Sequence, residues 1–266
     1  MSLMPTSLRH DGRTVRLKWH KLRREPDDPP FARANLQAGL AAGASLEVDL
    51  RCLACGRFVC LHDVDLEGET TGQGPVAGVD AEAVVRLQMR HADEPPLLLD
   101  ELARIVRAGP CAPAALIQLD LKATGAEIDD VSRAALASAL GEVAHRFILS
   151  GCDWDAVARL SGDVAGLAVG YDPYSDAGND PAAALRAIRE RAPEADTIYL
   201  HRDMVRAAHE QGDPLVERLH AHGHRVDCWT IDYGTPRAIE DVRAAIAAGC
   251  DQITTNSAAS WATAKL

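Results

Sequence analysis

Four short segments carry residues able to do acid–base chemistry around a metal ion: Trp19-His20-Lys21, Leu46-Glu47-Val48-Asp49, Leu61-His62-Asp63 and Gln118-Leu119-Asp120-Leu121-Lys122. Side chains on an extended strand alternate between faces, so Glu47 and Asp49 share one face, and Asp120 and Lys122 share another. Charges in the middle of otherwise apolar strands are costly unless they are paired or bind metal. A buried salt-bridge cluster is the bland reading. Three carboxylates against the adjacent Lys122 leave excess negative charge, however, which a divalent cation relieves better than further pairing. Oxygen-only ligation by Glu47, Asp49 and Asp120 favours one hard cation, Mg2+ or Ca2+, over zinc. With His20 and His62 on its flanks, one imidazole can take a proton from an attacking group while the other protonates a leaving group, and lysine and metal stabilise charge on phosphate oxygens. Cleavage of a phosphodiester needs these parts. His91, His145, His209, His220 and His222 read as hydrogen-bonded rim residues, with His201 and His224 left open.

Such residues need a scaffold that gathers strand ends. Short β-branched segments followed by Ala-rich helical stretches are the pattern of a parallel sheet covered by helices. Eight strands are expected, over Thr14 to Trp19, Ser45 to Leu50, Leu116 to Leu121, Arg146 to Ser150, Val164 to Gly170, Thr197 to His201, Arg225 to Thr230 and Gln252 to Thr255. Helices are expected over Ala32 to Ala42, Leu98 to Ala108, Val131 to Val143, Trp154 to Leu160, Pro181 to Ala192, Asp203 to Gln211, Pro214 to Ala221 and Pro236 to Ala248, with Gly43, Gly109, Gly223 and Gly249 as stops. The fold class is therefore α/β, a (β/α)8 TIM barrel, whose catalytic residues belong at the C-terminal ends of the strands. Phe58 to His62 follows the second strand too closely for a parallel crossover, so it must return as an antiparallel hairpin and bring His62 back to the same rim. Residues 63 to about 96, rich in Gly, Pro and acids, form a small insertion over that rim. A single domain over residues 1–266 is expected, since such barrels commonly use about 250 residues.

Composition narrows the partners. The chain is 47% hydrophobic and 25% charged, with 39 acidic against 28 basic residues and a formal net charge of -11. That balance disfavours non-specific binding to nucleic acid or an anionic membrane, so phosphate recognition must be local and the partner a small-molecule phosphodiester. No run of about 18 apolar residues argues for membrane insertion. The polar stretch Met1 to Arg16 lacks the apolar core of a signal peptide, which makes a cytoplasmic location the default. Met1-Ser2-Leu3 ahead of Met4 reads as a leader without structural weight. The 7 cysteines do not form a secreted disulfide framework. Cys52-Leu53-Ala54-Cys55, with Cys60 nearby, is a C-x-x-C pair, but no second pair completes a zinc site. The sequence leaves the oligomeric state open.

At these residues the chain resembles the glycerophosphodiester phosphodiesterase family. The resemblance rests on His20 after the first strand, Glu47-x-Asp49, His62-Asp63 leading into Thr70-Thr71-Gly72-Gln73-Gly74, and Asp120-x-Lys122. It extends to Val226-Asp227-Cys228-Trp229-Thr230-Ile231-Asp232 and Gly249-Cys250-Asp251-Gln252-Ile253-Thr254-Thr255-Asn256, and so covers nearly the whole chain. It implies that His20 and His62 are the acid/base pair, that Glu47, Asp49 and Asp120 hold the metal, and that Lys21, Lys122 and Trp229 contact substrate. It further implies attack on phosphorus by the substrate's own neighbouring hydroxyl, a cyclic phosphate that water opens, and release of glycerol phosphate and an alcohol. Several positions differ from the family pattern: Lys21 stands for its arginine, Leu22 for its glycine, Asp120 for its glutamate, and Asp27-Asp28-Pro29-Pro30 for its Pro-Glu-Asn-Thr stretch. The rival expectations are a lyase, similar to the sphingomyelinase D branch, that stops at the cyclic phosphate, and a barrel that binds a phosphorylated ligand without turnover. Phosphorus NMR of the products separates hydrolysis from cyclisation. A Schiff-base aldolase is a weaker rival, because Lys122 beside carboxylates is poorly placed to lose its proton.

Overall fold

A computed structural model describes residues 5–151 and 153–266; Met1-Ser2-Leu3, read above as a leader, lies outside the described residues. The strands are β1 (Ser7–His10), β2 (Arg13–Trp19), β3 (Ser45–Cys52), β4 (Phe58–Val59), β5 (Leu116–Leu121), β6 (Phe147–Gly151), β7 (Ala168–Tyr171), β8 (Thr197–His201), β9 (Arg225–Trp229) and β10 (Gln252–Thr255). β2, β3 and β5 to β10 pair in parallel with their neighbours, and β10 returns to β2, so the sheet closes into the eight-stranded barrel expected from the sequence. Helices cover its outside.

Most expected boundaries fall within a few residues of those observed, and the departures trace to backbone chemistry. Val164 to Leu167 is a turn rather than the start of a strand, because Gly166 takes a left-handed φ of 83° and hydrogen bonds link Val164 to Ser161 and Leu167 to Val164. The helix beginning at Asp130 stops at Leu140 instead of Val143, where Gly141 turns to a φ of 44° and a 3-10 segment, Gly141–Arg146, follows. β1 was not expected. It pairs antiparallel with β2 across Asp11-Gly12, both at positive φ, which is the Asp-Gly signature of a two-residue hairpin.

The expected hairpin after β3 is present. β4 pairs antiparallel with β3, Cys52 opposite Phe58. The chain beyond it contains two 3-10 segments, Leu66–Gly68 and Val76–Gly78, and the short helix Ala81–Val84. Thr70 is fully buried there, with its hydroxyl donating to the Leu66 carbonyl at 2.8 Å and accepting from the Gly72 amide at 3.0 Å. The Thr-rich turn thus braces the excursion. Cys52, Cys55 and Cys60 are free thiols.

β3 is buried along nearly its whole length, with Leu46, Val48 and Leu50 facing the helices and Glu47 and Asp49 facing the barrel interior. The interior floor is polar. Lys18 Nζ lies 3.0 Å from Asp227 Oδ2 and 4.4 Å from the centroid of the Tyr199 ring, and Thr254 Oγ1 donates to Asp227 Oδ1 at 2.6 Å. Lys18 also donates to Gln118, whose amide donates to Ser150 Oγ at 2.8 Å, and that hydroxyl donates to Asp120 Oδ1 at 3.3 Å. Buried charges of this kind are tolerated only when every member is paired.

The helix Arg33–Ala42 approaches β3 through Gly39, where an added Cβ would meet Leu46 Cδ2 at 2.6 Å and Trp19 Cζ3 at 3.2 Å. Gly39→Val is therefore expected to destabilise the protein by about 1–3 kcal/mol, read from its denaturant midpoint. An unchanged midpoint would refute this account of how β3 is seated.

Candidate active site

The C-terminal ends of β2, β3, β5, β6, β7 and β9 surround a cavity of about 280 Å³, lined among others by His20, Glu47, His62, Asp120, Lys122, Asp172 and Trp229. Each of these side chains arrives by a local device. After Trp19 the chain enters a 3-10 turn in which Lys21 and Leu22 have φ of 53° and 60°. Left-handed non-glycine residues cost roughly 1–2 kcal/mol each; full burial of the Leu22 side chain offsets part of this. Leu22 thus adopts, without being glycine, a backbone conformation that favours one. The turn aims the Lys21 amide at Glu47 Oε2, 2.7 Å away. The Asp27 to Pro30 stretch is tied back by Asp28, which accepts from Arg24 Nε at 3.0 Å and Asn35 Nδ2 at 3.2 Å, while the Phe31 amide donates to the Lys21 carbonyl.

One oxygen from each of Glu47, Asp49 and Asp120 lies within 4.8 Å of the others, and among the described residues this is the group with metal-ligand geometry. Asp49 Oδ1 is 3.0 Å from Lys122 Nζ and Asp49 Oδ2 is 3.3 Å from Lys21 Nζ, but neither ammonium is aligned as a hydrogen bond. Glu47 Oε1 and both Asp49 oxygens are buried without a hydrogen-bond partner. Orphaned acceptors of a hard donor set, converging on one point, fit a divalent cation. Lys122 donates to Asp120 Oδ2 at 2.6 Å, so one lysine bridges two of the three acids. Burial, then the charges of Asp49 and Asp120, push Glu47 well above the usual carboxylate range. Burial also pushes Asp49 upward, but Lys122 and Lys21 outweigh it and hold its carboxyl low. Burial lowers Lys122's proton affinity, whereas Asp120 and Asp49 raise it more strongly, and the ammonium stays charged.

His20 and His62 differ in surroundings. Asn256 Nδ2 donates to Asp232 Oδ2 at 2.9 Å, which fixes the amide orientation and turns its oxygen to His20 Nδ1 at 2.9 Å. The His20 proton therefore sits on Nδ1, leaving Nε2 as an acceptor, 3.8 Å from Glu47 Oε2. Burial lowers the pKa of His20 and outweighs the Asp49 charge, which favours the neutral ring. His62 is about half exposed, with Nδ1 3.0 Å from Asp63 Oδ1. Glu69 holds it in place by accepting the amides of His62 and Asp63 at 2.7 and 2.9 Å.

Of the residues singled out in the sequence, His20, Glu47, His62, Asp120, Lys122 and Trp229 line the cavity, while Asp49 lies beneath it and the Lys21 ammonium turns to Asp49. Sequence reasoning gave no role to Asn256, Asp232, Ser150 or Asp172. Asp232 and Asn256 lay inside quoted motifs, where pairing with an imidazole is invisible. Asp172 immediately follows β7; burial raises its carboxyl to about 7, against the lowering effect of the Tyr174 amide, which donates to it at 2.9 Å. His201, one of the two histidines left open, packs against Trp229 and Tyr174 with ring centroids 4.9 and 5.0 Å away.

Solved structures share this barrel. An Oleispira antarctica phosphodiesterase in complex with the product sn-glycerol-3-phosphate is 17% identical, with a TM-score of 0.69 over 93% of this chain and 95% of that one. Glycerophosphodiester phosphodiesterases from Agrobacterium tumefaciens and Parabacteroides distasonis are 17% and 16% identical, with TM-scores of 0.68 and 0.69; they cover 94% and 92% of this chain and 100% and 94% of theirs. A sequence search of curated proteins finds no match. The model of the glycerophosphoryl diester phosphodiesterase family matches residues 34–260. The chain belongs to that family, and thereby to the phosphoric diester hydrolases. No helix among the described residues is long and apolar enough to cross a membrane.

Because the carboxyl of Glu47 is raised in the folded state, the folded protein without metal loses stability as pH climbs from the ordinary glutamate value through the raised one. Glu47→Gln removes that titration. In the presence of chelator at neutral pH it is expected to raise the melting temperature by roughly 2–4 °C, with little gain at pH 4. A lower melting temperature at neutral pH would contradict the proposed burden of buried charge.

Proposed function

We propose that the protein hydrolyses a small glycerophosphodiester to glycerol phosphate and an alcohol, using one divalent cation and the imidazoles of His20 and His62. The observation that carries this reading is the meeting of three carboxylates, two of them with orphaned oxygens, and two imidazoles at one cavity. Glu47, Asp49 and Asp120 would hold the cation, Mg2+ or Ca2+, which when bound supplies positive charge to the phosphate oxygens.

The chain's own residues do the rest. His20, neutral and with its Nδ1 proton engaged by Asn256, presents the Nε2 lone pair to a substrate hydroxyl and takes its proton as that oxygen attacks phosphorus. The bond from phosphorus to the alcohol breaks, and His62, held with its Nδ1 3.0 Å from Asp63 Oδ1, gives the leaving oxygen a proton. Water then opens the cyclic phosphate with the two roles exchanged. Lys122, kept charged by Asp49 and Asp120, sits in the cavity wall to balance negative charge on phosphate, and Trp229 offers a flat apolar wall to the glycerol or alcohol portion. Lys21 supports this arrangement by neutralising Asp49 and is our remaining assignment to the substrate side.

His20→Ala and His62→Ala are each expected to lower kcat/KM for glycerophosphodiesters roughly 10²–10⁴-fold while circular dichroism is unchanged. Near-normal turnover by either variant removes the acid/base pair. Mg2+ or Ca2+ is expected to restore chelator-treated enzyme, and phosphorus NMR is expected to show glycerol phosphate as the end product. A cyclic phosphate that accumulates without opening would reassign the protein to the lyase reading.

A further inference from the structure

The opposite, N-terminal mouth of the barrel contains a second cavity of about 570 Å³, against about 280 Å³ at the catalytic mouth. Lys18, Gln118 and Tyr199 line both, so a single layer of side chains separates them. Strand periodicity decides what points into the lower space. Arg16 precedes Lys18 by two residues on β2 and Arg225 precedes Asp227 by two on β9, so both continue the inward-facing set below the floor, and Arg146, immediately before β6, lines the same space.

These guanidinium groups are held without acidic partners. Among the described residues, none of the three forms an ion pair with a carboxylate. Arg16 Nη2 donates to the Gly43 and Ala114 carbonyls at 3.0 and 2.8 Å, and Arg146 Nη1 to the Ala112 and Pro113 carbonyls at 3.3 and 2.9 Å, so both are anchored on the same loop. Arg16 Nε is buried with no hydrogen-bond partner. Burial, and then the charge of Arg225, lower the proton affinity of the half-buried Arg16, which places two cations at the same mouth.

The carboxylates that line this cavity are committed elsewhere. Asp196 Oδ2 accepts the Val169 amide at 2.9 Å, while Asp251 Oδ2 accepts the Val226 amide at 2.8 Å and lies 2.9 Å from His220 Nε2. His145, also in the lining, is exposed and turns Nδ1 to the Glu142 carbonyl. In a chain with a net charge of -11, three guanidiniums against two carboxylates leave a local positive excess that an anion would neutralise. Arginine forks match phosphate oxygens, two N–H groups at a time. Leu116, Ile148 and Ala168 supply apolar wall beside them, and the volume falls in the range of roughly 300–1,000 Å³ usual for small-molecule sites.

We propose that the N-terminal mouth of the barrel binds a small organic phosphomonoester, its phosphate held by Arg16, Arg146 and Arg225 and its carbon substituent lying against Leu116, Ile148 and Ala168. Barrel chemistry belongs to the other mouth, so this is a ligand site and not a second catalytic centre.

Calorimetric titration of the full-length protein with phenyl phosphate, in chelator so that the metal-dependent mouth is silent, tests it. Binding is expected, and it should weaken with added salt. Arg225→Gln and Arg146→Gln, each at a partly or wholly exposed position, should lower affinity by about tenfold or more, while kcat/KM for diester hydrolysis stays at the wild-type value. Arg225→Lys should recover part of the affinity. Undiminished binding in both glutamine variants would overturn the proposal, as would binding lost in Lys122→Gln but kept in Arg225→Gln, which would place the anion at the catalytic mouth. Inorganic phosphate binding as tightly as phenyl phosphate would overturn the assignment to an organic ester.

Discussion

Negative charge held out of water at the upper mouth of the barrel governs how the rest of the molecule is built. Glu47 and Asp49 sit on β3, whose residues are almost all buried, and Asp120 joins them from the neighbouring strand. Glu47 and Asp49 have no solvent shell to screen them, so each must find a cation or share a proton. Lys122 and Lys21 neutralise Asp49, Lys122 also takes Asp120, and Glu47 is left with a single backbone amide. The imbalance that remains is of the kind a divalent cation cancels. A fold without metal therefore carries a standing electrostatic cost at the place where function is expected, and the interlocked floor beneath it holds that cost in place.

That floor joins the two ends of the barrel. Lys18 answers Asp227, Gln118 connects Lys18 to Ser150, and Ser150 reaches Asp120. Asp120 is one methylene shorter than the glutamate of the family pattern, and here its carboxylate is positioned from below by the Ser150 hydroxyl and from the side by Lys122. The same layer separates the acidic upper mouth from the arginine-lined lower one. Opposite charges are thus segregated along the barrel axis with a neutral, hydrogen-bonded septum between them, and the excess acidity of the chain as a whole does not describe either end.

The two imidazoles show how neighbours give one residue type different roles. His20 is mostly buried, pinned through Asn256 to Asp232, and burial lowers its pKa. His62 stands half in solvent on a loop that Glu69 fastens by two backbone amides, with a carboxylate at its Nδ1. One ring has its tautomer set by an amide oxygen, and the other stands beside a carboxylate. The backbone strain at Lys21 and Leu22 serves the same positioning, because the turn it creates delivers the one donor that Glu47 receives among the described residues.

Much of this was legible in the chain itself. Period-two alternation around Glu47, Asp49, Asp120 and Lys122 set which residues share a face, the short gap before Phe58 required a hairpin, and the alternation of strands and helices gave a closed barrel. These are local properties, decided by side-chain direction and connection length. The strand expected at Val164 failed because Gly166 turns there, and the β1 hairpin was passed over although Asp11-Gly12 announces it. What only the folded molecule decided are relations between residues distant in sequence: Asn256 orienting His20, Ser150 holding Asp120, Lys21 turning to Asp49, and three arginines meeting below the floor. No periodicity encodes them, because they arise when eight strands close in one particular register and bring together side chains that share nothing else.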